Sequence, residues 1–275
     1  MKRGQREQGG VPLRIIVINL ARAIERRRSI EQQFAAFGLE FEFLDATDGR
    51  GLTEADRAMA DNEARKRITP FPLSDNEIGC CISHHRAMRR LVEGGTAMAL
   101  IVEDDAVFSP DFPRVLAAIE THGMPFDSID LHRVAGNKTT FAPCRTLLPD
   151  FTLGRIGPMH MHLTAYVVTR SAAGRYLAQT QRLVHMTDKQ FHRYWDNGLD
   201  IYGLDRPVAW QASGHSYIDE TRDHDRPAAR VRYEDADALR WRIARTRTRL
   251  ADSIRKRLAW PGYVRMGRAA GGRDC

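Results

Sequence analysis

Disulfide scaffolding is missing from this sequence. There are four cysteines in 275 residues. Cys80 and Cys81 are adjacent, Cys144 stands alone and Cys275 is the last residue, so there is no spaced framework. There is also no Cys-x-x-Cys pair and no Cys/His ligand spacing of the kind that marks a structural zinc. The expectation is reduced thiols in a cytosolic protein. No apolar run approaches the roughly 20 residues that a membrane-spanning helix needs. The first such run, Ile15-Ile16-Val17-Ile18, follows a polar start, is closed by Asn19 and is too short for a secretory leader. Rossmann and P-loop glycine motifs and internal repeats are absent, so the usual nucleotide fingerprints give no lead.

What is present is length and positive charge. A chain of 275 residues makes one large domain or two small ones. It can bury about three quarters of its unfolded surface, so its core needs no staples. The net charge of +7 points to anionic partners: phosphates, anionic lipid or nucleic acid.

Residues 1–12 read as a tail. Leu13 to Leu20 reads as a short β-branched strand. Ile24, Ile30, Phe34 and Phe37 then recur at helical spacing, and Gly38 is a natural stop. Phe41 to Leu44 is a second strand, ending in Asp45-Ala-Thr-Asp48-Gly49. Strand, helix and strand within about 30 residues make a right-handed βαβ unit with parallel strands. A short helix is expected over Thr53 to Arg67. Ser74 and Glu77 form a capping box for a helix with an apolar face of Ile78, Cys81, Ile82, Met88 and Leu91. The small residues Gly79 and Cys80 would let that helix approach the sheet. Ser109 with Pro110 starts a further helix, and Asp127 to Val134 is a candidate strand. The Gly/Pro/Thr-rich stretch 135–157 reads as an active-site loop. A strand over 160–169, a helix from Ser171 and a strand pair around a turn over Ile201 to Trp210 complete the domain, which is expected to span 13–226.

The most informative stretch is Ala99-Leu-Ile-Val-Glu103-Asp104-Asp105-Ala-Val-Phe108. Its apolar part reads as a buried strand. Carboxylates are costly to bury, so they belong just past the C-terminal end of that strand, where open α/β sheets bind ligands. Three acidic groups there are either a solvated turn or oxygen donors for Mg²⁺ or Mn²⁺, which could in turn hold a diphosphate.

From residue 227 the composition changes to a basic extension. Between Arg240 and Arg257 the only acid is Asp252, while Ile243, Leu250, Ile254 and Leu258 share a helical face with Trp241 and Trp260 near its ends. Residues 240–258 suit an anionic membrane surface as a basic amphipathic helix, or a helix docked on the domain with a solvated basic face. The aromatics are not interleaved with the basic residues, which speaks against nucleic acid.

Taken together, Ile16-Val-Ile-Asn19-Leu20 with its arginines, Phe43-Leu-Asp45-Ala-Thr-Asp48-Gly49, Glu77-Ile-Gly79-Cys80-Cys-Ile-Ser83-His84, Ile101-Val-Glu103-Asp104-Asp105 and Ala165-Tyr166-Val-Val-Thr169 resemble glycosyltransferase family 25 in order and spacing. That family contains bacterial lipooligosaccharide galactosyltransferases and collagen galactosyltransferases. The resemblance covers about 13–215 and departs at Asn76, where the family usually has Gly. It implies a GT-A-like α/β fold with a mostly parallel sheet, a UDP-sugar donor such as UDP-galactose, a glycolipid or glycan acceptor, a Mn²⁺ or Mg²⁺ cofactor and inversion at the anomeric carbon. By the same resemblance, Asp105 would hold the metal together with Glu103, and Asp104 or Glu103 would touch ribose or a second metal position. Asn19, Leu20 and Arg22 would contact the nucleotide, with Asp45 near uracil or ribose. His84 would steady the metal loop or the diphosphate, with His215 or His224 as a further ligand. Asp188 would be the base on the acceptor hydroxyl. The expected activity is hexosyl, most readily β-galactosyl, transfer to lipopolysaccharide or another surface glycan at the inner face of the cytoplasmic membrane. The alternative is a non-catalytic nucleotide-sugar or membrane-binding module of the same fold.

Overall fold

The first apolar run forms β1 (Leu13–Asn19), and the run before the acidic triplet forms β3 (Met98–Glu103). They pair in parallel from Leu13 opposite Met98 to Ile18 opposite Glu103. Both read as continuous apolar runs because both sheet faces are covered. Ile15, Val17, Leu100 and Val102 enter one core, and Ile16, Ile18, Ala99 and Ile101 the other. The structure, a computed structural model, describes residues 13–132, 140–157, 162–212 and 235–269.

The βαβ unit is as expected. Helix α1 (Ile24–Phe37) ends at Gly38 with φ 65°, and β2 (Glu42–Asp45) pairs in parallel with β1. The expected single helix over 53–67 is two short ones, α2 (Glu54–Ala58) and α3 (Asn62–Lys66), because Thr53 and Asp61 each accept a capping N–H and start a new helix. Helix α4 (Asp75–Gly94) carries the Ser74–Glu77 capping box. Its apolar residues serve two cores: Met88 and Leu91 face the sheet, and Ile78, Cys81 and Ile82 meet Leu52, Leu73 and Leu183.

After β3, the chain makes β4 (Ala106–Phe108) and α5 (Phe112–Thr121). Helix α5 starts later than the Ser109-Pro110 signal suggests: Asp111 is its N-cap residue and Pro113 occupies its first turn, where a missing N–H costs nothing. Strand β5 (Ser128–Asp130) follows. The expected loop over 135–157 is corrected within the described residues. There β6 (Phe141–Leu148) and β7 (Phe151–Ile156) form an antiparallel hairpin. Register shifts at Pro143/Arg145 and Thr146/Leu148 break its two-residue period, which hides it from pattern reading. Then come β8 (Ala165–Thr169), α6 (Arg170–Gln179), α7 (Thr187–Phe191), α8 (Tyr194–Asn197), β9 (Ile201–Leu204) and β10 (Ala209–Gln211). The strand pair expected over Ile201 to Trp210 does not form: β9 joins the main sheet, while β10 pairs antiparallel with β4 in a separate two-stranded ribbon.

The main sheet has the order β2-β1-β3-β8-β5-β9-β7-β6. Six of its eight strands run one way and β7 and β8 run against them, so the fold is α/β with a mostly parallel sheet. The C-terminal ends of β1, β2, β3 and β5 therefore open on one edge.

Helix α9 (Asp235–Ala269) packs along the opposite margin. Its lone acid between Arg240 and Arg257 is the anchor. Asp252 accepts from Arg193 Nη1 at 3.1 Å and from Trp195 Nε1 at 3.0 Å. Further along, Tyr263 stacks on Tyr194 with centroids 3.9 Å apart, and its hydroxyl both donates to the Ile201 carbonyl and accepts from the Ile201 N–H. Arg155, fully buried, lies between the rings of Tyr202 and Tyr263 at 3.9 and 4.2 Å and pairs with Asp200. A buried guanidinium without such partners would be strongly destabilising. Of the two readings of 240–258, docking is therefore real along this face. No helix among the described residues is long and apolar enough to cross a membrane. The tail 1–12, the boundary at 226, and His215 and His224 lie outside the described residues.

Candidate active site

The sheet edge opens into a cleft of about 120 Å³. One wall is the loop after β2. It sits tight on α4: a Cβ on Gly79 would lie 2.5 Å from the Thr47 carbonyl, and one on Gly49 would lie 2.7 Å from the Asn76 nitrogen. Gly79 thus admits the loop rather than the sheet. Ser83 fastens the same contact, accepting from the Thr47 N–H at 2.8 Å and donating to the Gly79 carbonyl at 2.7 Å.

The acidic triplet divides its work. Glu103 is the last residue of β3, and its neighbours form the turn into β4. Asp104 turns inward. Its Oδ2 accepts from Asn19 Nδ2 at 2.8 Å and from the Leu20 N–H at 3.1 Å, and its Oδ1 accepts from Arg26 at 3.0 Å. It ties the end of β1 to the end of β3. Asp105 is held by the β4–β10 ribbon: its carbonyl accepts from the Ala212 N–H at 2.7 Å, and its Oδ2 accepts from Gln211 Nε2 at 3.0 Å. Its Oδ1 is buried with no hydrogen-bond partner among the described residues.

The charges fit a cation. Burial and the charge of Glu103 push the Asp105 carboxyl above its ordinary range, against the hydrogen bond from Gln211 and the field of Arg26. Burial also resists ionisation of Glu103, but the hydrogen bond and charge of His84, helped by His162 and His132, outweigh it and leave that carboxyl lowered. Two electrostatically linked carboxylates lining one cleft, one with an unpartnered buried oxygen, are a donor set that a hard divalent ion would satisfy. Glu103 and Asp105, the expected metal pair, are thus brought together, and both line the cleft.

His84 is buried beside them, with Nε2 3.3 Å from Glu103 Oε1 and Nδ1 3.0 Å from the Tyr166 hydroxyl. Leu20 and Arg22 line the cleft, whereas Asn19 supports it through Asp104. Asp45 lies outside the lining with an exposed side chain; Asp48 takes that wall and accepts from Arg22 Nε at 2.8 Å. Arg22 is the main reason the Asp48 carboxyl is held below its usual range. Asp48, Gln211 and Cys80 also belong to the lining, although the sequence assigned them no role in the site. Asp48-Gly49 was visible as a strand-end signal. Gln211 had none, because only the β4–β10 pairing delivers it.

Asp188 sits in the first turn of α7, whose N-cap residue is Met186. Its Oδ2 accepts from the His162 N–H at 3.3 Å, and His162 is held at φ 90°, the one described non-glycine residue with positive φ. Such a backbone is costly and persists where the surroundings impose it. His192 bridges the Asp188 carbonyl at 2.9 Å and the buried Asp130 carboxylate at 3.1 Å, fixing α7 to the end of β5. Asp188 is outside the cleft lining, yet its charge reaches Cys80 within the cleft.

A sequence model of the family described as "Glycosyltransferase family 25 (LPS biosynthesis protein)" matches residues 13–191. A "Glycosyltransferase 25 family member" of Aedes aegypti is 34% identical over 109 residues, covering 38% of this chain and 18% of that protein. "Procollagen galactosyltransferase 2" of Homo sapiens is 27% identical over 106 residues, 37% of this chain and 17% of that one. A "Probable inactive glycosyltransferase 25 family member 3" of Bos taurus is 28% identical over 127 residues, 43% and 21%. The matches thus span about a fifth of these relatives' length. Among solved structures, a glycosyltransferase involved in glycosylating the major capsid of PBCV-1 aligns with 77% of this chain and 97% of its own, at a TM-score of 0.43 and 9% identity.

Proposed function

The chain belongs to glycosyltransferase family 25, and from that premise we propose that it transfers a hexose, with galactose first, from a UDP-sugar to a lipopolysaccharide or other surface-glycan hydroxyl, with inversion and with Mn²⁺ or Mg²⁺. The observation that carries this reading is the buried, unpartnered Oδ1 of Asp105 beside Glu103 at the open end of the sheet.

In this reading, Glu103 and Asp105 would hold the ion. Its chemistry, when bound, is to neutralise the diphosphate of the leaving UDP. Asp104 keeps the β1 end in place so that Leu20 and Arg22 meet the nucleotide, and Asp48 orients Arg22. The acceptor hydroxyl enters from the α7 side. Asp188 takes its proton as the new oxygen–carbon bond forms and the bond to UDP breaks. His192 and His162 position Asp188 for that transfer.

The experiment is UDP release from a panel of UDP-sugars with Mn²⁺. UDP-galactose should be turned over best, and EDTA should abolish turnover. Failure of every donor would favour the non-catalytic binding module, a reading that the probable inactive bovine relative keeps in view.

The exposed side of α9 supports a membrane role at the inner face of the cytoplasmic membrane. Leu239, Ile243, Leu250, Ile254 and Leu258 are 46–76% exposed. At about 100° per residue they share one sector with Arg240, Arg247 and Arg257. Apolar insertion flanked by guanidinium groups suits anionic lipid. Truncating the chain near residue 230 is a poor test, because it would also strip Tyr263 from Arg155. Serine at 250, 254 and 258 avoids that. The full chain should bind phosphatidylglycerol-containing vesicles and not neutral ones, and the triple substitution should weaken binding at least ~10-fold. Equal binding to both vesicle types, or no effect of the serines, would refute a lipid-facing role.

A further inference from the structure

The spacing of Cys80 and His84 gave no zinc signal in the sequence, yet α4 sets them one turn apart on one face and points both at the end of β3. The Cys80 sulfur, a His84 ring nitrogen and a Glu103 oxygen all lie within 4.8 Å of one another. The thiol and imidazole are donors that hard ions do not favour; with the carboxylate they suit a borderline ion.

We propose that Cys80, His84 and Glu103 form a Zn²⁺ site at the cleft wall, separate in chemistry from the Mn²⁺ or Mg²⁺ role of Glu103 and Asp105 but sharing Glu103 with it. Zinc bonds of about 2.0–2.3 Å place tetrahedral donors about 3.3–3.7 Å apart. The His84–Glu103 separation of 3.3 Å already meets this, and Cys80 has to close by about 1 Å at most. The second requirement is an oriented imidazole. The Tyr166 hydroxyl lies 3.0 Å from Nδ1 and can accept a hydrogen bond from it, which turns Nε2 toward Glu103 and the ion. On binding, the Cys80 S–H and His84 Nε2–H bonds are replaced by bonds to zinc, and both protons leave to solvent. All three residues line the cleft, so a fourth ligand could be water.

One consequence rests on the glycosyltransferase reading: a Zn²⁺ that engages Glu103 withdraws it from the hard ion, so zinc inhibits donor turnover. The site itself does not depend on that reading, and its test needs no turnover. Co²⁺ is added to the reduced full-length chain as a spectroscopic stand-in for Zn²⁺. A near-ultraviolet thiolate-to-cobalt charge-transfer band should appear, saturate at one equivalent and vanish when Zn²⁺ is added. Cys80→Ser should abolish the band and Cys81→Ser should keep it, while His84→Gln should weaken Co²⁺ binding at least ~10-fold, with circular dichroism showing each variant folded. Absence of the band in the unaltered chain, or its survival in folded Cys80→Ser, would overturn the proposal.

Discussion

Replacing Asp105 with Asn is expected to slow UDP release from the preferred UDP-sugar by about 10³-fold, as loss of a preorganised charge at the reacting centre commonly does, while the chain stays folded. The substitution removes the anionic charge but keeps an oxygen for Gln211 and Arg26. Stability should not fall. The folded-state pKa of Asp105 is raised from 3.8 to about 6, first by burial and then by Glu103. An acid raised in the folded state binds its proton more tightly there, so its ionisation destabilises the fold increasingly from pH 4 to 6 and by a fixed amount above that. With no ion bound, the neutral amide should therefore relieve of order 1–3 kcal/mol at pH 7. The outcome to look for is lost turnover with an unchanged or raised Tm. Retained turnover would remove the metal-pair argument; collapse of the fold would show that Asp105 is a structural acid.

The second large effect is at Asp188. Asp188→Asn should cut transfer to acceptor by about 10²–10⁴-fold, the usual contribution of a positioned general base. Asparagine keeps an oxygen for the His162 N–H, so the positive-φ backbone should hold. Asp188 lies outside the cleft proposed to hold the donor, so the affinity for UDP should be unchanged. The split between kcat and KM separates a base from a scaffold. In the variant kcat for transfer should fall while the KM for donor holds, whereas a merely structural role would raise that KM. Undiminished transfer would send the search for the base elsewhere.

Much of the cleft was legible because its signals are local. The β1–α1–β2 unit, the α4 capping box and the acidic strand end each declare themselves within a few residues. The remaining site residues depend on contacts far apart in sequence. Asp45 looked like the nucleotide carboxylate at the end of β2, but the chain runs on and packs Gly49 against Asn76, which brings Asp48 to the cleft instead. Gln211 reaches Asp105 only because β10 leaves the main sheet to pair with β4. The β6–β7 hairpin looked like a loop because its bulges erase the alternation that marks strands. Asp252 looked incidental in a basic run, and it proved to be the point where α9 is tied to Arg193 and Trp195.

In the proposed mechanism Glu103 and Asp105 join a divalent ion to the nucleotide. Calorimetric titration of UDP into the chain, with and without Mn²⁺, measures that link. In the unaltered protein, Mn²⁺ should tighten UDP binding by at least ~10-fold, a coupling of about 1.4 kcal/mol, and in Asp105→Asn it should add nothing. Binding of UDP that ignores Mn²⁺ in the unaltered chain, or that responds to it equally in the variant, would contradict the claim.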